Sequence, residues 1–312
     1  MSLPRFELAQ RTRRRRVGDT WRDTRFFSRL ALPLLVLAAC GEPPPWHAAD
    51  WRPPQPPQRV VLASVLAAET LLEVLPHERI AGVHAFAANA EYSLAAMHVG
   101  DLRLLGATPE ELLAVRPDLV LVDAYTSADT LALLSAASVP VLRTLDPHSF
   151  ADIEANMRLL GELAHCEPAV ASCMQDVQGR LERVRQLAPQ LAGWRVLSFD
   201  GALHSYGIGS LFHELAEAAG LRNLAAEHGV GSYRKLDVEE VLAWRPDALV
   251  LAGDPGDGMP EWLRQYPGLD LLPCVRNGRV LVVPRSMLTT TSHHLVGAAE
   301  YVQQAMLKWG KP

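Results

Sequence analysis

Cysteine is scarce: the 312-residue chain has four. Cys166, Cys173 and Cys274 show no zinc-site spacing and cannot all pair with one another. Cys166 and Cys173 can pair in an oxidising compartment, but small buried thiols are the expectation. Catalytic signatures are missing too. The chain has no G-x-S-x-G elbow, no phosphate-cradling glycine loop and no metal-hydrolase motif, and Gly207-Ile208-Gly209-Ser210-Leu211 is too short for a dinucleotide fingerprint. An enzyme on a two-lobed α/β fold is therefore the weakest reading, and no catalytic residue is nominated. The apolar run Leu30 to Ala39 is too short to cross a membrane. Basic residues are unevenly placed: positions 1–39 carry nine arginines against Glu7, Asp19 and Asp23, so losing this stretch would take the formal charge from −5 to −11. A body this acidic argues against nucleic-acid binding, which needs clustered Lys and Arg.

What is present begins with hydrophobic content of 49% against 21% charged residues, enough for substantial cores and for two domains. Residues 1–39 have the order of an export signal: a basic region to Arg29, an apolar run, then small residues before Cys40. Leu37-Ala38-Ala39-Cys40-Gly41 resembles the lipobox of bacterial lipoproteins, which implies lipidation at Cys40 after cleavage. Residues 40–57 are crowded with proline and are expected to form an extended tether. A lipid-anchored, periplasmic location is expected, with the membrane touched only through that anchor.

One stretch occurs twice. Thr108-Pro-Glu-Glu-Leu-Leu-Ala-Val-Arg-Pro-Asp118 precedes LVLV, and Asp237-Val-Glu-Glu-Val-Leu-Ala-Trp-Arg-Pro-Asp247 precedes ALVL. Thr108 and Asp237 suit a helix N-cap, with Glu111 and Glu240 completing capping boxes. Pro117 and Pro246 disfavour helix at Arg116 and Arg245, so the apolar runs that follow read as buried parallel strands. Glu110 and Glu239 are left facing outward with no local role beyond complementing the helix dipole.

Around each copy, short apolar runs alternate with helical patterns: Val60–Ala63, Ile80–Val83 and Val139–Leu142 on one side, Arg195–Phe199 and Arg279–Val283 on the other. Between them no strand-like run occurs. A helix ending near Cys166 and a longer one from about Glu167 to Leu187 are predicted, and a last helix from about His293 to Lys308. The fold class is therefore α/β: two lobes, 58–166 and 192–312, each a parallel sheet flanked by helices, joined by one long connecting helix within 167–191.

This combination resembles the substrate-binding proteins of bacterial ABC importers that capture vitamin B12, iron siderophores and haem, the helical-backbone class of periplasmic binding proteins. The resemblance rests on the two E-E-x-L-A-x-R-P-D stretches, the connecting helix, the final helix and the leader. It implies capture of a cobalt- or iron-containing chelate between the lobes, with no cofactor and no catalysis. It also implies docking of one glutamate per lobe, Glu110 and Glu239, onto arginines of the importer's permease. A monomer is expected.

Ligand contacts are expected just after strand ends. The nominated residues are His84, Tyr92 and Tyr125 in the first lobe and Tyr206, Tyr233 and Arg285 in the second, rings suiting a large flat ligand and Arg285 an anionic group on it. His293 or His294 is a candidate axial ligand to cobalt or iron, although packing is the commoner role for such a pair. An alternative is direct capture of zinc or manganese, for which His84, His148, His204 and Asp254 would have to converge. Asp254-Pro-Gly-Asp-Gly258 matches a calcium loop only in composition.

Overall fold

Short apolar runs separated by capped helical segments build two parallel sheets in the computed structural model, which describes residues 50–310 and 312. The expected leader, Cys40 and the first part of the tether lie outside the described residues. Strands β1 (Val60–Leu62), β2 (Ile80–His84), β3 (Leu104–Leu105), β4 (Leu119–Val122) and β5 (Val141–Arg143) form the first sheet in the order β3-β2-β1-β4-β5, all parallel. Every residue of β4 is buried, as a central strand covered on both faces requires. The second sheet, also parallel, has the order β11-β10-β6-β8, from β6 (Arg195–Leu197), β8 (Arg222–Asn223), β10 (Ala248–Gly253) and β11 (Val280–Pro284). A separate antiparallel ribbon pairs β7 (His204–Ser205) with β9 (Arg234–Lys235).

Helix starts follow their caps. Ser64, Ser127, Ser149 and Ser210 each accept the N3 backbone N–H of α1 (Val65–Leu71), α3 (Ala128–Ala136), α4 (Phe150–Ala164) and α6 (Leu211–Ala219). Helix α6 stops at Gly220, whose φ of 84° suits glycine, and a Cβ there would meet the Ala188 carbonyl oxygen at 2.1 Å. The repeat helices are α2 (Pro109–Ala114) and α8 (Val238–Trp244); short α7 (Leu224–Glu227), α9 (Pro273–Arg276) and α10 (Arg285–Leu288) complete the second lobe before α11 (Leu295–Leu307). The predicted connector is α5, Glu167–Leu187, with Pro168 in its first turn, followed by a 3₁₀ turn at Ala188–Leu191.

The lobes share a core. One continuous apolar cluster runs from β1 and α1 through α4, α5, α6 and α11 to β10, while smaller clusters lie on the outer face of each sheet. Polar contacts reinforce the connector: Arg180 on α5 pairs with both carboxylate oxygens of Glu300 on α11, at 3.1 and 2.6 Å, and buried Gln303 donates to the carbonyls of Val184 and Ala219. Beneath the cleft, the fully buried Glu69 carboxylate accepts from the hydroxyls of Thr290 and Ser292 and from the Leu94 N–H, tying the first lobe to the segment entering α11. Residues 51–57 are irregular, as their prolines require, but not detached: Arg52 donates to Glu162 at 2.7 Å and His165 contacts the Pro53 carbonyl at 2.9 Å.

Candidate ligand cleft and docking surfaces

The repeated stretch folds into the same unit in both lobes. Arg116 and Arg245 both take φ of 47°, the left-handed conformation that ends each helix before its proline. The aspartate that follows reaches a neighbouring strand start. Asp118 accepts the backbone N–H groups of Gln58 and Arg59 at 2.7 and 2.9 Å, while the Arg59 guanidinium donates to the Val115 and Arg116 carbonyls that end α2. Asp247 accepts the Arg195 N–H at 3.0 Å and two guanidinium N–H groups of Arg195 at 3.0 and 2.9 Å; Arg195 also donates to the Arg245 carbonyl. The R-P-D of each copy is thus a latch between helix end and strand start, a role invisible without the sheet.

At the helix starts, Glu240 accepts the Asp237 N–H at 3.0 Å, the capping box expected, and pairs with Arg234. Glu111 departs from that pattern by accepting the Thr108 hydroxyl at 3.0 Å while its own N–H donates to the same oxygen at 3.4 Å. Both cap glutamates are therefore occupied. Glu110 and Glu239 are exposed, with no hydrogen bond or ion pair among the described residues.

In each sheet the chain order reverses beside its first strand, which opens a crevice beyond the carboxyl ends of the strands. A cavity of about 560 Å³ lies there between the lobes. The first lobe contributes Tyr125, Asp146 and His148 to its wall, and the second Tyr206, Tyr233, Trp262, Arg285 and Thr289–Thr291. It continues into a recess of about 310 Å³ on the first lobe, lined by Ser64, His84, Phe86 and Asp123 and sharing Tyr125 and Asp146. Tyr125 and Tyr233 are 82% and 68% exposed, rings that water covers at a cost and a flat ligand can cover instead. The β7–β9 ribbon places Tyr206 and Tyr233, which flank its strands, on one wall. Gly207 allows the close approach behind it, since a Cβ would meet the Val230 carbonyl oxygen at 2.0 Å.

Electrostatically the lining is acidic. The charge on Asp146, then burial, raises the Tyr125 pKa, and its hydroxyl donates to Asp146 at 3.5 Å. Burial, then Asp200, raises that of Tyr206, and burial lowers that of His84 against the opposing pull of Asp123. Arg285 pairs across the lobes with Glu91 at 3.0 Å. Asp123, Asp146 and Asp200 thus line the site against one arginine that already has a partner.

Several expectations need correction. Tyr92 does not line the cavity; it backs Phe86 at a ring separation of 5.3 Å, and Phe86 in turn meets His84 at 5.1 Å. Neither His293 nor His294 reaches the cavity. His293 is 4% exposed, and both imidazoles face Glu73 below the cleft floor, so axial ligation of a chelate from these positions is not supported. His84, His148, His204 and Asp254 do not converge: His148 contacts the Gly209 carbonyl, His204 sits beside Asp200, and Asp254 closes a turn on the Gly256 N–H. Trp262, which packs edge-on against Phe199 at 5.9 Å, was not nominated from sequence; its signal was an aromatic in the loop after a repeat strand. Cys166, Cys173 and Cys274 are free thiols, and burial pushes Cys166 and Cys274 up to about 11.

With this geometry in hand, known proteins fall into line. Residues 60–287 match the periplasmic binding protein family. An uncharacterized ABC transporter substrate-binding lipoprotein, YvrC of Bacillus subtilis (strain 168), is 22% identical over 218 residues, 67% of this chain and 67% of that protein. The cobalamin-binding protein of Halobacterium salinarum (strain ATCC 29341 / DSM 671 / R1) is 24% identical over 197 residues, 62% of this chain and 53% of its own length, so the match spans about half of that relative. In three dimensions the apo periplasmic heme-binding protein RhuT of Roseiflexus sp. RS-1 superposes with a TM-score of 0.69 at 22% identity, covering 80% of this chain and 98% of that one. Two parallel-sheet lobes, a helical connector, an interlobe cleft and a match over most of the body lead to one assignment: the chain belongs to the periplasmic binding protein family, whose members are substrate-binding transport proteins and not enzymes.

Proposed function

We propose that the protein captures a metal chelate in the interlobe cleft and hands it to an ABC importer, and that the chelate is a corrinoid. One observation carries the choice: exposed rings from both lobes face a single cavity whose charged lining is Asp146 and Asp200 against Arg285, an arginine already paired with Glu91. Such a wall favours a large, flat, amide-rich or cationic ligand over one bearing free carboxylates, because like charges brought together in a partly dewetted cleft repel strongly. The cobalamin-binding relative from Halobacterium points the same way; ferric siderophore and haem are the competing ligands. Delivery would use Glu110 and Glu239 as a two-point contact with permease arginines, whose bidentate pairing to carboxylates sets orientation. Cys40 would carry the lipid anchor, and a Cys40→Ser chain that stays membrane-bound would remove that part of the proposal.

The ligand assignment is tested by thermal shift and visible absorbance of the purified protein with cobalamin, haem and a ferric hydroxamate. Cobalamin at 100 times its Kd is expected to stabilise the native state by about 2.7 kcal/mol. Tighter binding of haem than of cobalamin, or no shift with cobalamin, would sink the corrinoid reading.

A further inference from the structure

Behind the cleft floor, one carboxylate is ringed by three imidazoles. Oε1 of Glu73 lies 3.5 Å from His294 Nε2 and 3.7 Å from His98 Nε2, and Oε2 lies 3.7 Å from His293 Nε2. Cys173 on α5 joins them, with one donor atom each from Glu73, Cys173 and His293 all within 4.8 Å of one another. These side chains arrive from four places: the turn after α1, the 3₁₀ turn Ala96–His98, the connecting helix, and the segment entering α11.

Glu73 and Cys173 lie close enough to His293 to act on it as hydrogen-bond partners, but the Glu73–imidazole contacts are long for such bonds. Charge-assisted N–H···O bonds close to about 2.7–2.9 Å, whereas these contacts stand at 3.5–3.7 Å. Two imidazole atoms there, Nδ1 of His293 and Nε2 of His294, are buried with no hydrogen-bond partner, and the second is the atom that faces Glu73. His293 is 4% exposed, so water does not readily serve it. The Glu73–imidazole separations are close to the edges of a tetrahedron around zinc, roughly 3.3–3.8 Å for ligands at about 2.0–2.3 Å from the metal, and the Cys173 donor lies within 4.8 Å of those of Glu73 and His293.

We propose that Glu73, Cys173 and His293, with His98 or His294 completing the set, form a binding site for a zinc-class divalent metal ion at the junction of the two lobes and the connecting helix, separate from the chelate cleft. A thiolate, imidazoles and one carboxylate match zinc and its borderline neighbours and not magnesium or calcium, which select oxygen donors. Binding would release to solvent the Cys173 thiol proton and the second proton of the His293 imidazole as the sulfur and nitrogen ligate. None of these five residues lines the cleft cavity or its recess. The partly exposed Glu73 and His98 give an ion a way in. Beside the Glu69 bridge to Thr290 and Ser292, a bound ion would tie the turn after α1 to α5 and to the segment entering α11.

The test uses the untagged protein stripped by a chelator, then titrated with Zn²⁺ and, separately, Co²⁺. One equivalent is expected to bind and raise the melting temperature, and the cobalt form is expected to show a thiolate-to-cobalt charge-transfer band with tetrahedral visible bands. Cys173→Ser should abolish that band and weaken zinc by more than the 10–100-fold typical of losing an outer-shell partner, while Cys274→Ser, a buried thiol elsewhere, should leave both unchanged. Circular dichroism separates loss of the site from loss of the fold. If Cys173→Ser does not fold, the peripheral Glu73→Gln carries the test. No zinc bound by the unaltered protein, a charge-transfer band surviving Cys173→Ser, or full zinc affinity in Glu73→Gln would each overturn the site.

Discussion

The two lobes share seven of the eleven repeat residues and build nearly the same unit from them, yet set it in different surroundings. In the first lobe the latch aspartate, Asp118, is exposed and holds only backbone N–H groups. In the second, Asp247 is partly buried and holds the Arg195 backbone and guanidinium together. The first sheet has five strands and a small outer core under α2 and α3; the second has four, a larger outer core, and the β7–β9 ribbon at its rim. A repeat of this length therefore dictates a helix, its stop and the strand that follows. What the unit is worth, and which cleft wall it carries, depends on its neighbours.

The largest effect expected from disturbing this pairing is on transport. Glu110→Ala with Glu239→Ala should abolish stimulation of the importer's ATPase while leaving chelate affinity intact, and each single variant should cost about 10-fold or more if the lobes contribute comparably. Normal stimulation by the double variant would refute the docking role.

Stability distinguishes the shared core from the lobes' own. Leu121 on β4 is fully buried in the cluster that spans both lobes. Leu121→Ala should cost about 2–5 kcal/mol and move one cooperative unfolding transition. Separate melting of the first lobe, seen by calorimetry, would mean that the lobes are energetically independent.

The latches should differ in strength. Asp247→Ala leaves a partly buried guanidinium without its carboxylate and should cost about 1–3 kcal/mol; Asp118→Ala, at an exposed site, should cost less. Equal losses in urea titrations would argue against burial as the difference. Burial opposes ionisation of Asp247, but the Arg195 hydrogen bonds outweigh it and hold the carboxyl below its ordinary range. A group whose folded pKa is depressed contributes stability that is complete above its unfolded value, about 3.9, and is lost as pH falls through the folded one. The deficit of Asp247→Asn against the unaltered protein should thus be constant near neutrality and fade in acid. A deficit that persists unchanged in acid would assign it to packing.

Smallest and most informative for ligand choice are the paired rings. Tyr125→Ala and Tyr233→Ala should each weaken chelate binding by roughly 10-fold, from lost stacking of about 0.5–1.5 kcal/mol plus lost area. Loss at only one of them, by titration calorimetry, would place the ligand on one lobe.

Much of the architecture was legible because it is local. Thr108, Asp237, Ser64 and Gly220 mark helix ends through hydrogen bonds made within a few residues, and fully apolar four-residue runs announce central strands. Strand ends told where the cleft would be, and Tyr125, Tyr206, Tyr233, His84 and Arg285 do stand on its walls or in its recess. Tyr92 stands behind Phe86, since an aromatic in a loop is as readily a second layer as a first. The β7–β9 ribbon was missed because strands of two residues are too short to show a period.

The sequence by itself determined the two-lobed α/β plan, the connector from Glu167 to Leu187 and the outward first-turn glutamates, since periodicity, capping and proline act over one or two turns of chain. Tertiary structure alone decided that Arg59 and Arg195 close the latches, that Glu69 bridges the lobes, and that His293 and His294 turn from the cleft toward Glu73 and Cys173. Those partners lie between about 50 and 220 residues apart in the chain, and only folding the sheets around a common core brings their charges close enough to matter, because electrostatic and hydrogen-bond energies fall off within a few ångströms.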